Sequence, residues 1–302
     1  MDLKTSALSR LEERLRACFF SDSTLADFSD YAYFWSGQNI RGKICLDLGR
    51  AYGLSENTLL DIAASTQLLH DASLIHDDLI DEDTERRGYP AIWKKYGKAK
   101  ALLIGDLLIS KAYEIVIQSK VSVATKLVWT SEISAAVGSA VSGAVAELEF
   151  DTQNQQQILE NYHRMASHKT GALFALPARC IALTANHLTD VDRLNTTFLN
   201  LAVAYQIKDD QSDFLGTKSG RLHSSDLKNE RPNLYHILTS NGMSIEMCFD
   251  YINDYQQSLV ADSLQLTDSL PKQVCVTLKE LLIPLIELES LPTSNNLLQI
   301  GT

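Results

Sequence analysis

The sequence predicts an all-α fold, a single-domain helical bundle around a deep central cavity, spanning residues 1–302. Three observations predict it. Apolar residues recur at helical spacing from the stretch Thr5 to Leu15 through to the stretch Leu278 to Leu285. Strand-like alternation bounded by turn residues is nearly absent. Only six prolines and fourteen glycines interrupt 302 residues, few for a β-rich chain. With 45% hydrophobic residues, the chain can bury one large core or two smaller ones.

Taken in order, Met1 to Ser21 mixes charges along an amphipathic pattern and lacks the apolar centre of a signal peptide. Leu68 to His76 is too apolar for a solvent face and runs into Asp77-Asp78-Leu79-Ile80-Asp81. Ile133 to Phe150 is rich in Ala, Ser and Gly and ends in Glu147 and Glu149, so it fails the length test for a membrane span. It predicts a packed interior or dimer-interface helix. Leu201 to Ile207 is again apolar and runs into Asp209-Asp210-Gln211-Ser212-Asp213. Gly216 to Pro232 is the most loop-like internal stretch and carries Lys218, Arg221, Lys228 and Arg231, the composition of a lid over an anion. The tail beyond Leu291 reads as frayed. No internal repeat appears besides the two aspartate motifs.

Those two motifs, about 130 residues apart, carry the chemistry. At roughly 100° per residue, Asp77 with Asp81, and Asp209 with Asp213, each share one helical face. Bunched carboxylates raise one another's pKa unless hard cations neutralise them. Mg²⁺ takes one or two carboxylates per ion and completes its octahedron with water and phosphate oxygens. The double motif therefore predicts a metal-bridged phosphate or diphosphate. A solvated acidic face is the competing reading, and the apolar run before each motif weighs against it.

Composition sets outer limits. A net charge of −11 argues against nucleic-acid partners. An acidic protein still binds anions where metal ions and local cations reverse the sign. Cys18, Cys45, Cys180, Cys248 and Cys275 have no CxxC spacing and read as reduced core thiols, as expected of a soluble cytoplasmic enzyme.

Around these motifs the chain resembles the trans-isoprenyl diphosphate synthases, or polyprenyl synthetases, of the isoprenoid synthase fold. His70 to Gly88, HDASLIHDDLIDEDTERRG, is similar to the first aspartate-rich motif of that family with its following Arg-Arg-Gly. Tyr205 to Asp213, YQIKDDQSD, resembles the second. Ile104 to Leu108 and Lys169 to Phe174 match family segments between them, in the same order.

The resemblance implies ionisation of an allylic diphosphate, addition of the allylic cation to isopentenyl diphosphate, and loss of a proton to give a longer diphosphate. It implies Asp77, Asp81 and Asp209 as the main ligands of roughly three Mg²⁺ ions. Asp78, Asp210 and Asp213 follow as near ligands or supporting groups, Asp213 among the metal contacts. Arg86, Lys169, Arg221 and Arg231 hold the leaving diphosphate, with Thr170 beside Lys169 in its motif. Arg41, Arg87 and His70 hold the second diphosphate, where planar guanidinium forks suit phosphate oxygens. His70 lies seven residues before Asp77, on the same face. Gln206 either bonds near the substrate or fills a polar gap at the cavity rim. For Arg86 and Arg87 the alternative is surface pairing with Glu82 and Asp83. The family also implies a homodimer.

The chain departs from the family pattern at Trp35 to Lys43, WSGQNIRGK. Gln38 stands in place of a diphosphate-binding lysine, Asn39 in place of an arginine and Gly42 in place of a proline; only Arg41 survives. A neutral amide lacks the Coulomb attraction of an ammonium. Lys43, two helical residues beyond Arg41, is turned about 200° away from it. Arg221 and Arg231 stand where the family has lysines.

Small Ala72 and Ser73, one turn before Asp77, leave the hydrocarbon pocket open. In the family this goes with a geranylgeranyl or longer product. An alternative keeps the ionisation and changes the nucleophile, as a class I terpene cyclase or a prenyltransferase to an indole, peptide or other acceptor. A non-catalytic regulatory subunit would have no need of six clustered carboxylates. Glu147 or Asp151 is a candidate further acid, with its register open.

Overall fold

The computed structural model describes residues 3–37, 39–152, 157–216 and 231–286. Helices α1 (Leu3–Phe20), α2 (Ser23–Ala26) and α3 (Ala32–Trp35) lead to α4 (Ile40–Ala51) and the long α5 (Glu56–Ile80). A hairpin of β1 (Glu85–Arg86) and β2 (Tyr89–Pro90) precedes α6 (Ile92–Tyr96), α7 (Lys98–Gln118) and α8 (Val123–Leu148). Then α9 (Ile158–Ala166), one π-helical turn (Ser167–Gly171) and α10 (Ala172–Thr184) run on without a break. The remaining helices are α11 (Leu188–Phe214), α12 (Leu234–Ser240), α13 (Ile245–Asp268) and α14 (Lys272–Ile286). The all-α expectation holds, with the short hairpin as its one strand pair among the described residues.

Local chemistry starts the long helices. Ser55 caps α5 by accepting from the Thr58 N–H, Ser122 caps α8 through Thr125, and Ser244 caps α13 through Met247. Such side-chain caps each contribute about 1 kcal/mol.

Helix α5 is the axis of the bundle and is buried on most of its circumference. Small Ala63, Ala64 and Ser65 let α7 approach, and the Ser65 hydroxyl donates to the Ala112 carbonyl at 3.0 Å. The larger hydrophobic cluster joins α1, α4, α5, α7 and α10, and a second one joins α9, α11, α12 and α13 around Tyr162, Tyr235 and Phe249. Side chains such as Leu59, Leu68 and Ile75 are fully buried, worth about 1.5–3 kcal/mol each.

Helix α8 packs through one edge only. Trp129 and Ile133 are buried, whereas Leu127, Val141 and Leu148 stay exposed. Its Gly143 meets the π turn so closely that a Cβ there would lie 2.2 Å from the Lys169 nitrogen. No helix among the described residues is long and apolar enough to cross a membrane. All five cysteines are free thiols, with Cys45, Cys180 and Cys248 buried.

Candidate active site

A cavity of about 1710 Å³ opens between α1, α4, α5, α7, α8 and α11. Both aspartate motifs sit in the last turns of their helices, α5 and α11. Negative charge at a helix C-terminus opposes the macrodipole. Stability alone does not choose that position, and the cations that face it explain how it is tolerated.

Asp77, Asp81 and Asp209 line the cavity, the first two from α5 and the third from α11. Lys169, from the π turn, reaches Glu147 at 2.5 Å and Asp77 at 3.7 Å. Arg231 pairs with Asp81 and comes within 3.6 Å of Glu147. Burial pulls the Arg231 guanidinium pKa down while the charges of Asp77 and Asp78 pull it up. Along the cavity wall the charges therefore form a chain of alternating sign: Asp77, Lys169, Glu147, Arg231, Asp81.

Glu147 is the site residue that the sequence left open. Asp151 is exposed and lies off the cavity wall, so Glu147 is the acid that reaches it. Its position follows from Gly143, one turn earlier, which brings the backbone of α8 against that of Lys169. The π turn adds a residue to its helix at this point, a local distortion that frequently marks a functional position.

The second aspartate of each motif has structural partners. Asp78 is fully buried and accepts from Tyr33 Oη at 2.7 Å and from Arg86 Nε at 2.7 Å. Burial, the Asp78 charge and this hydrogen bond all push the Tyr33 phenol pKa up, so it stays a donor. Asp78 in turn pushes Arg86 up despite its burial. Arg86 pairs with Asp78, and not with Glu82 or Asp83.

Asp210 accepts from Tyr162 Oη at 2.8 Å, from Gln206 Nε2 at 3.0 Å and from the Leu234 N–H at 2.9 Å. Asn233 donates to the Asp210 carbonyl at 2.8 Å. These bonds anchor the segment that delivers Arg231. Gln206 also accepts from Thr170 Oγ1 at 3.5 Å, joining the π turn to α11.

Asp213 differs from the expectation. It is fully buried and lies off the cavity wall, which ends at Ser212. The segment before α12 bonds to Asp210, one turn earlier on α11, through Asn233 and the Leu234 N–H. Arg221 and Gln38, with Lys218 and Lys228 of the expected lid, lie outside the described residues.

A second cationic cluster sits along the wall. Arg41 Nη1 donates to His70 Nε2 at 3.0 Å, and its guanidinium lies 5.4 Å from the Phe174 ring centroid. Burial lowers Arg41 to about 10, which leaves it charged at neutral pH. Burial and the charges of Arg41, Arg87 and Arg86 push His70 well below its usual range, so it is a neutral acceptor. Arg87 and Gly88 occupy a two-residue hairpin turn with φ of 54° and 79°. Positive φ at both central positions is the geometry that suits tight hairpins. It turns the Arg87 guanidinium over Gly37, where a Cβ would lie 2.7 Å from it.

Asn39 is left-handed at φ 51° and begins α4 without a side-chain cap. A Cβ at Gly42 would lie 2.5 Å from the Leu11 side chain and 2.8 Å from Asn39 Oδ1, so a larger residue there has to displace those side-chain ends. Lys43 is exposed yet still borders the cavity, which wraps far enough around α4 to meet both it and Arg41.

The polyprenyl synthetase family profile matches residues 22–254. A farnesyl diphosphate synthase of Bacillus subtilis is 31% identical over 70% of this chain and 74% of its own length. One from Escherichia coli is 30% identical over 80% of this chain and 83% of its own. Among solved structures, a Caulobacter crescentus polyprenyl synthase complexed with calcium and isoprenyl diphosphate superposes with a TM-score of 0.80 at 20% identity, covering 94% of this chain and 95% of that one. The chain belongs to the polyprenyl synthetase family, whose members are transferases of the trans-prenyltransferase class.

Proposed function

We propose that this enzyme condenses an allylic diphosphate with isopentenyl diphosphate, in a Mg²⁺-dependent reaction, to give a geranylgeranyl or longer diphosphate. The observation that carries the reading is that Asp77 and Asp81 of α5 and Asp209 of α11 line one and the same cavity. The donor set fits divalent cations. Among the described residues no three acidic, histidine or cysteine side chains converge on one point. Carboxylates spread over two walls suit hard ions that each take one or two protein oxygens and draw the rest from diphosphate and water. Lys169 and Arg231 now lie against those carboxylates as stand-in cations. Calcium and isoprenyl diphosphate in the Caulobacter relative support the same reading. Bound there, roughly three Mg²⁺ ions supply Lewis-acid stabilisation and a template for the leaving group.

The chain's own residues do the rest. Lys169 and Arg231 turn from their carboxylate partners to the leaving diphosphate, where negative charge develops. Arg86, fixed by Asp78, adds a third cation at the same rim. Arg41 and Arg87 grip the second diphosphate, with His70 holding Arg41 in place. Apolar Leu69, Ile109, Val137 and Leu173 line the cavity, exclude water from the allylic cation and receive the growing chain. Ala72 and Ser73 are small, and Ser73 satisfies its hydroxyl on the His70 carbonyl at 2.8 Å, which supports passage of a long chain.

A second copy of this chain is the expected partner. Exposed Leu103 and Ile117 of α7 and Leu127 of α8 support a face for it, and sedimentation equilibrium measures the state.

The test of the reaction is a mass-spectrometric product assay with Mg²⁺ and dimethylallyl, geranyl, farnesyl or geranylgeranyl diphosphate, each with and without isopentenyl diphosphate. Longer diphosphates formed only with isopentenyl diphosphate, and abolished by EDTA, are the expected result. Release of alcohol or hydrocarbon without elongation overturns it.

A further inference from the structure

We propose that Glu147 is a positioning residue of the leaving-group site. Its carboxylate is the anchor from which Lys169 and Arg231 reach the diphosphate, and it holds the Lys169 ammonium back from Asp77, where that ammonium competes with the incoming metal ion. The inference rests on the reading of Asp77 and Asp81 as the carboxylates that face the metal.

Three elements meet at this carboxylate. Glu147 comes from the last turn of α8, Lys169 from the π turn and Arg231 from the segment before α12, and all three side chains line the cavity. Glu147 Oε2 lies 2.5 Å from Lys169 Nζ and 3.6 Å from Arg231 Nη1. The planar fork of Arg231 spans two acids, Asp81 through Nη2 and Glu147 through Nη1. The Glu147 side chain is 12% exposed and those of both cations 15%, so solvent ions screen these pairs poorly. Gly143 fixes the arrangement, because a Cβ there would lie 2.2 Å from the Lys169 nitrogen. Glu147, four residues on, shares that face of α8 and is held close to the root of the Lys169 side chain.

The Lys169 ammonium has two acids within reach, Glu147 at 2.5 Å and Asp77 at 3.7 Å. Asp77 belongs to the motif assigned to the metal, and Glu147 does not. Lysine carries a compact charge on a flexible stem, and a partly buried cation is costly to leave unpaired. Removing the Glu147 charge therefore sends Lys169 the rest of the way to Asp77, and the fork of Arg231 closes on Asp81 alone. Each metal-facing carboxylate is then covered by a cation that an incoming ion must displace. With Glu147 in place, Lys169 leaves Asp77 to the metal and turns to the diphosphate from a fixed anchor.

The experiment follows calorimetric binding of an unreactive thiolo analogue of farnesyl diphosphate as Mg²⁺ is raised, so that no turnover enters the readout. Glu147→Gln is expected to raise the Mg²⁺ midpoint about tenfold to a hundredfold, the loss typical of removing a group that supports a metal site. Glu147→Asp keeps the charge on a shorter stem and raises the midpoint less; it carries the same comparison if urea unfolding shows Glu147→Gln to be unfolded. In a Lys169→Gln background, Glu147→Gln is expected to add less than about threefold, because the competing ammonium is gone. A midpoint in folded Glu147→Gln within about twofold of wild type overturns the inference. So does an equal rise with and without Lys169, which shows that Glu147 meets the metal directly. Asp77→Ala separates the two levels. If it leaves the midpoint unchanged, the metal-site reading falls and the inference with it. If it raises the midpoint while Glu147→Gln does not, the inference alone falls.

Discussion

Tyr33 donates its hydroxyl to the buried carboxylate of Asp78 at 2.7 Å, across 45 positions of sequence. Tyr162 does the same for Asp210 at 2.8 Å, across 48. Each motif thus divides its labour. The first aspartate faces the cavity, and the second ties the helix end to a tyrosine and to the segment that carries an arginine. Asp78 holds Arg86, and Asp210 holds the backbone that follows Arg231.

This division predicts opposite stability effects from neighbouring substitutions. Asp78→Ala leaves Arg86 buried without its partner, which costs about 3–5 kcal/mol. Asp77→Ala instead removes a cavity-facing charge that opposes the helix dipole, and stability is unchanged or rises by about 0.3–1 kcal/mol. Turnover with Asp77→Ala or Asp209→Ala falls at least about a hundredfold, because a leaving-group contact is lost. Urea unfolding and steady-state rates on the same preparations check both. Full activity in Asp77→Ala and Asp209→Ala refutes their assignment.

Tyr33→Phe isolates the latch. Asp78 keeps Arg86 but loses one hydrogen bond, so the variant loses about 1–3 kcal/mol of stability. A looser Arg86 lowers kcat more than it raises KM for either substrate, since its charge acts where the leaving group develops charge. A larger change in KM than in kcat argues that Arg86 serves ground-state binding instead.

The helical period carried the reading of α5 correctly. Asp77, Asp81 and His70 share the cavity wall, as their spacing requires. On α11 the same arithmetic puts Asp213 on the face of Asp209, whereas Asp213 is buried and off the cavity wall; periodicity describes one helix and says nothing of what packs against its end. The sequence does not separate Glu147 from Asp151 for a related reason. The end of α8 and the extra residue of the π turn are set by contact between two backbones at Gly143, and no local pattern encodes that contact. Tyr33 and Tyr162 were silent in the sequence since their partners lie more than forty positions away.

Gly143→Ala tests that contact. The added methyl would lie 2.2 Å from the Lys169 nitrogen and 2.7 Å from its Cα, so α8 and the π turn must part. Overpacking of this kind costs about 1–3 kcal/mol. Separating the helices also draws Glu147 away from Lys169, so kcat falls even where the protein is fully folded. A variant with normal kcat and reduced stability would show that Gly143 serves packing alone.

Product length tests the cavity itself. Ala72 and Ser73 border it one turn below Asp77, and beyond them the wall continues through Leu69, Ile109 and Val137. A phenyl ring at position 73 projects into this passage and blocks it, because a packed interior gives little room for the ring to yield. Ser73→Phe is therefore expected to shorten the principal product by one or more isoprene units, with kcat for the first condensation within about tenfold of wild type. Position 72 is 1% exposed, so Ala72→Phe shortens the product too but carries a larger stability cost, about 1–3 kcal/mol. The check is the product distribution by mass spectrometry from a single allylic starter. An unchanged distribution in Ser73→Phe would move the chain-length floor to another wall, and Ile109→Phe on α7 would then be the next substitution to measure.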